Sequence, residues 1–432
     1  MTETTTFRQR RRAVVASTIG AALEWYDFTL YGLASAVVLG PVFFPSDNPV
    51  RGTLSSLATF GVGFFARPVG GVIFGNLGDR LGRRRILVIT LILMSASTFC
   101  IGLLPGYQQI GIGGPLLLVL LRIAQGLGAG AEYAGATLLA AEHSSDGRRG
   151  LVSAIPTVGS PIGSIVASIV FGLFTLLPDD QFLSWGWRIP FLLSVVLFAF
   201  GMWMRLRVTE SPVYVDTQQG GAAGRVGVLE LLHRHPVPLL KAVMMNIGPN
   251  ASSYLPTVFG VSYLANTLHL PAVTGTNAVI IGNVFAMVVL PTAGLLTDRI
   301  GRRPVFIAGA LLIAAMAFPF FSMLDTRNFA VIAAAFVILF SIAGHCMLGA
   351  QASILPEQFP TEVRYSGVAI SRELASALVG GTLPFVATAL IAATGTTGSV
   401  SILVIVVALI AAIGAALMRD RRGRTLRREQ HA

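Results

Sequence analysis

The sequence predicts an all-α membrane protein with twelve transmembrane helices in two pseudo-symmetric six-helix halves. Three observations lead there. Only 12% of the 432 residues are charged and 54% are hydrophobic, whereas soluble domains carry about 25% charged residues. The apolar residues fall in twelve runs, most of them long enough, at about 1.5 Å per residue, to cross a ~30 Å hydrocarbon core. A charged stretch also recurs at half the chain length. GNLGDRLGRRR at Gly75–Arg85 is echoed by GLLTDRIGRR at Gly294–Arg303, with Asp79 and Asp298 219 residues apart. A second pattern repeats in step: Glu142 precedes Arg149 by seven positions, as Glu357 precedes Arg364, and Glu142 and Glu357 are 215 residues apart. Two independent patterns with nearly the same offset argue for two similar halves.

Taken in order, residues 1–12 end in Arg8, Arg10, Arg11 and Arg12, a cytoplasmic anchor. Six spans follow at roughly 13–39, 53–77, 86–104, 115–141, 150–177 and 187–206, and six more at 238–265, 273–296, 304–324, 329–355, 365–392 and 399–418. The Gly75–Arg85 stretch reads as a tight polar turn between the second and third spans. The division is an N-terminal half (1–206), a cytoplasmic linker with a short interfacial helix (207–237), a C-terminal half (238–418) and a basic cytoplasmic tail (419–432). Of the 31 basic residues, 25 fall in segments on one side, three on the other (Arg51, Arg188, Arg327) and three in spans (Arg67, Arg122, Arg372). That is the positive-inside pattern, which puts both termini in the cytoplasm of a multi-pass cell-membrane protein. The same distribution excludes a nucleic-acid-binding face, although the net charge is +11.

Cys100 and Cys346 lie in apolar runs and read as small apolar fillers. No Cys or His spacing suggests a metal, and no cofactor is expected. The first apolar run is too long for a cleavable signal peptide. GDRLGRR lacks the Gly-Lys-Ser/Thr of a nucleotide loop, and no nucleophile–base motif points to an enzyme.

Charges inside spans carry the chemistry, since each costs about 2.5–3.5 kcal/mol on insertion scales. Glu24, Asp27 and Tyr31 share one face of the first span, and Arg122, Gln125 and Glu132 one face of the fourth. An acid and a guanidinium at similar depth would pair, and protonating the acid would release the helices. Asp27, Glu24 or Glu132 could be that acid, with Arg122 as the guanidinium. The alternative is a static ion pair that fixes helix packing. Arg67 and Arg372 can offer a bidentate fork to a substrate carboxylate, or serve structure alone. Arg372 adjoins Glu373, and neighbours on a helix do not face each other, so each needs its own partner. Asn246, Asn250 and Tyr254 form a stripe on the seventh span that suits a substrate lining; Asn277, Asn283, His345 and Gln351 read as interhelical or interior polar groups.

The doubled loop resembles the signature of the major facilitator superfamily. GAALEWYDF from Gly20, FARPVGG from Phe65, RIAQG from Arg122 with Glu132-Tyr133, WRIPF from Trp187, and FPT from Phe359 with RYSG from Arg364 are similar to its metabolite:proton symporter family. In the related sugar porters, acid and arginine positions matching Asp27 and Arg122 couple protons, so the resemblance makes Asp27 with Arg122 the first choice for proton coupling, with Glu132 and Glu24 as further candidates. The resemblance further implies that Asp79, Arg83, Glu142 and Arg149, mirrored by Asp298, Arg302, Glu357 and Arg364, form salt bridges of a cytoplasmic gate. Gly159-Ser-Pro161-Ile-Gly163 partially resembles an antiporter motif, or a kinked, close-packed helix.

The expectation is a monomeric, proton-driven importer of a small organic acid anion, with substrate, protons and the lipid bilayer as its partners. A proline- or betaine-type osmolyte importer and a small-molecule exporter are the alternatives.

Overall fold

The computed structural model describes residues 3–81, 83–130, 149–206, 231, 233–360 and 363–419. Among them every regular element is helical. In chain order the spans are Glu3–Val37, Pro49–Leu81, Arg83–Leu103, Gly113–Ala129, Gly150–Phe174 and Asp179–Trp203 in the first half. The second half holds Pro236–Tyr254 with its continuation, Ala272–Ile300, Arg302–Asp325, Phe329–Gln358, Ser366–Thr394 and Gly398–Ala416. Eight of these are long and apolar enough to cross a membrane by length and composition; Val88–Leu103 and Gly113–Ala129 are shorter apolar helices. Leu120, Leu173, Val196, Val288 and Ile402 are 59–63% exposed. So much bare apolar surface suits contact with lipid tails rather than water.

The charged stretch differs from the turn that the sequence suggests. Helix runs on through Asp79 to Leu81 and resumes at Arg83, so the charges lie on helix ends. The echo shows how sharp the break is. The eighth span ends at Ile300, the ninth starts at Arg302, and the single residue between them, Gly301, has φ 108°. A side chain there would be strained, which accounts for glycine at that point. The linker and the C-terminal tail lie almost wholly outside the described residues.

The packing is itself doubled. In the first half, span 1 packs on span 5, and span 4 on spans 2 and 3; in the second, span 7 packs on 11, and span 10 on 8 and 9. Between halves, span 2 meets span 11 and its symmetry mate, span 8, meets span 5, while span 1 meets span 7. Contacts between halves occur toward both ends of the spans. Asn266 donates to the Ala36 carbonyl at 2.8 Å near one end, and Asp298 meets the start of span 5 at the other. This is an occluded arrangement.

Several spans change their winding along their length. Span 7 passes into π-helical turns at Leu255–Gly260 and Tyr263–Thr267, span 10 at Val337–Gly344, and span 11 at Ser376–Gly380. Pro256, without an N–H, opens the ladder in the first of these. Such bulges free carbonyls and often mark functional places. In span 5 the GSPIG segment serves close packing. A Cβ at Gly159 would lie 2.1 Å from the Thr18 carbonyl oxygen, and one at Gly163 1.9 Å from that of Ala22. The two glycines let spans 1 and 5 touch backbone to backbone.

Gly163→Ala must therefore push spans 1 and 5 apart. The expected result is a lower melting temperature in detergent, equivalent to an overpacking penalty of about 1–3 kcal/mol. Ser168→Ala on the same helix, which removes a buried hydroxyl with no hydrogen-bond partner among the described residues, should melt no lower than wild type. Equal melting of the Gly163→Ala and wild-type proteins would refute the backbone contact.

Candidate functional site

Two linked clusters of buried charge occupy the middle of the bundle. The first is built around Arg67 of span 2, which is 2% exposed. Its guanidinium forks onto Glu373 of span 11, with Nε donating to Oε2 at 2.5 Å and Nη2 to Oε1 at 3.1 Å. Nη2 also donates to Glu24 Oε1 at 2.9 Å. Arg372 Nη1 reaches Glu373 Oε1 at 3.3 Å. One guanidinium thus holds a carboxylate from its own half and another from the opposite half. The Phe28 ring lies 4.7 Å from the guanidinium carbon of Arg67.

The second cluster surrounds Arg122 of span 4, which is fully buried. Its guanidinium lies 4.1 Å from the Tyr31 ring centre and 5.4 Å from those of Phe28 and Phe60. It donates to Gln125 Oε1 and, at 3.4 Å, to the Phe60 carbonyl. Gln125 in turn donates to Thr98 Oγ1 at 2.7 Å, and the Tyr31 and Thr59 hydroxyls pair at 2.7 Å. Asp27, 4% exposed, lies beside Thr98 with Arg122 and Glu24 as the nearest charges. A Cβ at Gly63 would come within 2.5 Å of Arg122 Nε, so glycine there makes room for the guanidinium.

The two clusters are joined by aromatic rings at the boundary between the halves. Trp25 of span 1 stacks on Tyr254 of span 7 at 6.2 Å and 6°. Phe60 and Phe64 meet Tyr254 edge-on at 5.6 and 5.1 Å. Beside them is a small cavity with room for about one water molecule, lined by Trp25, Phe28, Thr29, Ser164, Tyr254 and Phe340 among others.

The structure thus brings Glu24, Arg67, Tyr254 and Arg372 into one cluster, and Asp27, Tyr31, Arg122 and Gln125 into the other. Two sequence expectations are corrected. Asp27 and Arg122 share a layer but make no ion pair among the described residues, because Arg122 is turned into a pocket of rings and amide oxygen. Arg372 and Glu373 do meet, because Glu373 reaches back across its own helix while forking onto Arg67. Asn246 and Asn250 bond chiefly within the second half. Asn246 donates to the Ala242 carbonyl at 2.8 Å and accepts from Gln351; Asn250 accepts from Ser376 at 3.0 Å. His345 is an interior histidine with Nδ1 2.9 Å from the Phe340 carbonyl. Glu132 lies outside the described residues.

Glu373 is the residue that sequence reasoning passed over. Its signal in the sequence is that of the other site charges, an ionisable residue inside an apolar span, here beside Arg372.

Toward the repeated loops, Asp298 of span 8 accepts from the backbone N–H groups of Gly150 and Leu151 at 2.8 and 3.1 Å. A motif carboxylate of one half thereby caps a helix start of the other. Arg302 pairs with Glu357 at 2.9 Å, both 1% exposed. Arg364 donates to the Phe359 carbonyl at 3.4 Å. Glu142 lies outside the described residues, as do the side chains of Asp79, Arg83 and Arg149.

Comparison with known proteins agrees with this architecture. The family model described as "Sugar (and other) transporter" matches residues 13–226 and 216–429. The chain is 39% identical over 421 residues to the shikimate transporter of Escherichia coli (strain K12), covering 96% of each. It is 39% identical over 387 residues to the proline/betaine transporter of Salmonella typhimurium, covering 87% of this chain and 77% of that one. The fold is similar to the partially occluded, inward-open xylose transporter of E. coli, with TM-score 0.74, 18% identity, and coverage of 97% of this chain and 100% of that one. The doubled helical packing, the repeated charged loops and these relatives together make the chain a multi-pass secondary transporter, not an enzyme, belonging to the metabolite:proton symporter family of the major facilitator superfamily.

Proposed function

We propose that this transporter imports a small organic acid anion together with a proton, as a monomer, by alternating access between halves 1–206 and 238–418. The observation that carries the reading is the Arg67 guanidinium at the boundary between halves, already arranged around carboxylate oxygens. Such a fork selects planar carboxylates. The likeness to a shikimate transporter supports the same substrate class.

Formal charge links the anion to the proton. Glu24, Asp27 and Glu373 balance Arg67, Arg122 and Arg372 among the described residues of the buried layer. Adding a monoanion leaves one carboxylate in excess, and an uncompensated buried charge costs about 3–5 kcal/mol. A proton on one of the acids removes that excess. Asp27 suits the role because Arg67 already holds Glu24 and Glu373 in ion pairs, while Asp27 has none among the described residues. With Asp27 protonated the site has one spare positive charge and accepts the anion. With Asp27 ionised the site is neutral without the anion, which favours release.

A second reading has its own observation. The Trp25, Tyr254, Phe60 and Phe64 rings beside the cavity suit a quaternary ammonium by cation–π attraction. Together with the proline/betaine relatives they favour a betaine-type osmolyte as the alternative cargo.

Uptake into proteoliposomes under an imposed pH gradient decides between these. Shikimate or another organic acid should accumulate, and glycine betaine should not; the reverse result selects the osmolyte reading. Asp27→Asn should abolish gradient-driven accumulation and leave counterflow exchange, because the amide fixes the neutral form. Full accumulation by this variant would move the proton site to Glu24 or Glu132.

Asp298→Ala removes the acceptor for two N–H groups across the gate, at a cost of roughly 1–2 kcal/mol for a lost cap. Transport should slow several-fold while substrate affinity stays within a factor of two. A loss of binding as complete as the loss of transport would place Asp298 in the binding machinery.

Cytoplasmic termini and linker follow from the distribution of basic residues. A cysteine at Gln218 should resist an impermeant reagent in intact cells and react after permeabilisation; labelling from outside would invert the topology.

A further inference from the structure

We propose that Glu373 is an internal stand-in for the substrate, a carboxylate that occupies the binding fork of Arg67 in the empty, closed transporter and is displaced by the carboxylate of the incoming anion. The proposal deepens the organic-anion reading and rests on it for the identity of the natural cargo. The class of ligand, a carboxylate, follows from the geometry of the fork.

The fork is fully engaged in this occluded state. Nε and Nη2 of Arg67 present the side of the guanidinium to both oxygens of Glu373. That is the arrangement a carboxylate substrate would use. Glu373 comes from span 11 and Arg67 from span 2, so the pair crosses the boundary along which the halves must part. The other carboxylate on Arg67, Glu24, comes from span 1 of the same half and can travel with Arg67 as the halves move.

Glu373 also has somewhere to go. Its Oε1 is already 3.3 Å from Arg372 Nη1, on its own span. A carboxylate that leaves Arg67 therefore keeps a guanidinium partner and is not stranded as a bare buried charge. Exchange of one carboxylate for another at Arg67 leaves the local pairing intact at every step. It also breaks the Arg67–Glu373 bridge between the halves, so ligand binding and unlatching become one event. The charged and titratable groups around this exchange are Glu24 and Asp27 of span 1, Arg67 of span 2, Arg122 of span 4, Tyr254 of span 7 and Arg372 of span 11.

The test uses formate as a minimal carboxylate and needs no knowledge of the cargo. Purified full-length protein is melted in detergent across a formate titration, with chloride at matched ionic strength as reference. Glu373→Ala vacates the fork, so formate should raise its melting temperature at concentrations at least ten-fold lower than wild type requires. The double variant Arg67→Gln/Glu373→Ala should show no formate-specific rise. Glu373→Gln, close to isosteric, guards against a misfolded alanine variant: formate sensitivity should increase in the same direction. Equal formate responses in wild type and the Glu373 variants, or a response that survives loss of Arg67, would overturn the proposal. Failure of the function reading looks different. No organic acid would be accumulated in proteoliposomes, yet the formate response at Arg67 would remain.

Discussion

Arg67 is the contact on which the rest of the arrangement depends. A guanidinium at membrane depth is tolerated only with partners, and its two carboxylates come from different halves of the protein. That single requirement ties spans 1, 2 and 11 together at one level. It also explains the company Arg67 keeps: Phe28 and Phe64 cover the guanidinium, excluding water from the pair. In such surroundings the attraction is stronger than in water, and so is the penalty for losing a partner.

The duplicated architecture gives that contact its leverage. Span 2 on span 11 and span 8 on span 5 are the same interface seen twice. The first carries the Arg67–Glu373 pair deep in the bundle; the second carries the Asp298 cap near the repeated loop. Two symmetric interfaces have thus been given different chemistry at different depths. In the proposed cycle, a charge event at the centre and a capping event near the repeated loop can therefore act on related rigid-body motions.

Most of the fold was legible in the sequence because it rests on signals that survive projection onto a line. Apolar run length, arginine asymmetry and the 219-residue echo require no knowledge of neighbours. Glycine and charge together suggest a turn around Asp79, whereas at its echo the break falls on one residue, Gly301. The site was half legible. Glu24, Asp27, Arg67 and Arg122 announce themselves as charges in apolar runs. Which acid meets which base depends on the depth and rotation of four helices, and sequence spacing does not supply these. Hence Asp27 was matched to Arg122, while rings and Gln125 in fact surround that guanidinium. Adjacent helical residues point apart, so the spacing gives Arg372 and Glu373 separate partners, a rule that long side chains such as arginine and glutamate can evade.

The magnitudes indicate which part of the molecule governs coupling in the proposed cycle. A helix cap or a single gate pair contributes about 1–2 kcal/mol, enough to tilt two conformations by roughly ten-fold. An unmatched charge in the central layer costs about 3–5 kcal/mol, a factor of several hundred or more. A carrier holding an anion without a proton, or a proton without an anion, would have to pass through the occluded state with that unmatched charge. The fully loaded and the fully empty carriers do not. The gate contacts therefore set how the open forms are shared between the two sides of the membrane, while the buried carboxylates and guanidiniums decide which loads are allowed to cross. Tight coupling needs no lock beyond this one, because the low-dielectric centre penalises each wrong load by the same electrostatics that holds Arg67 in place.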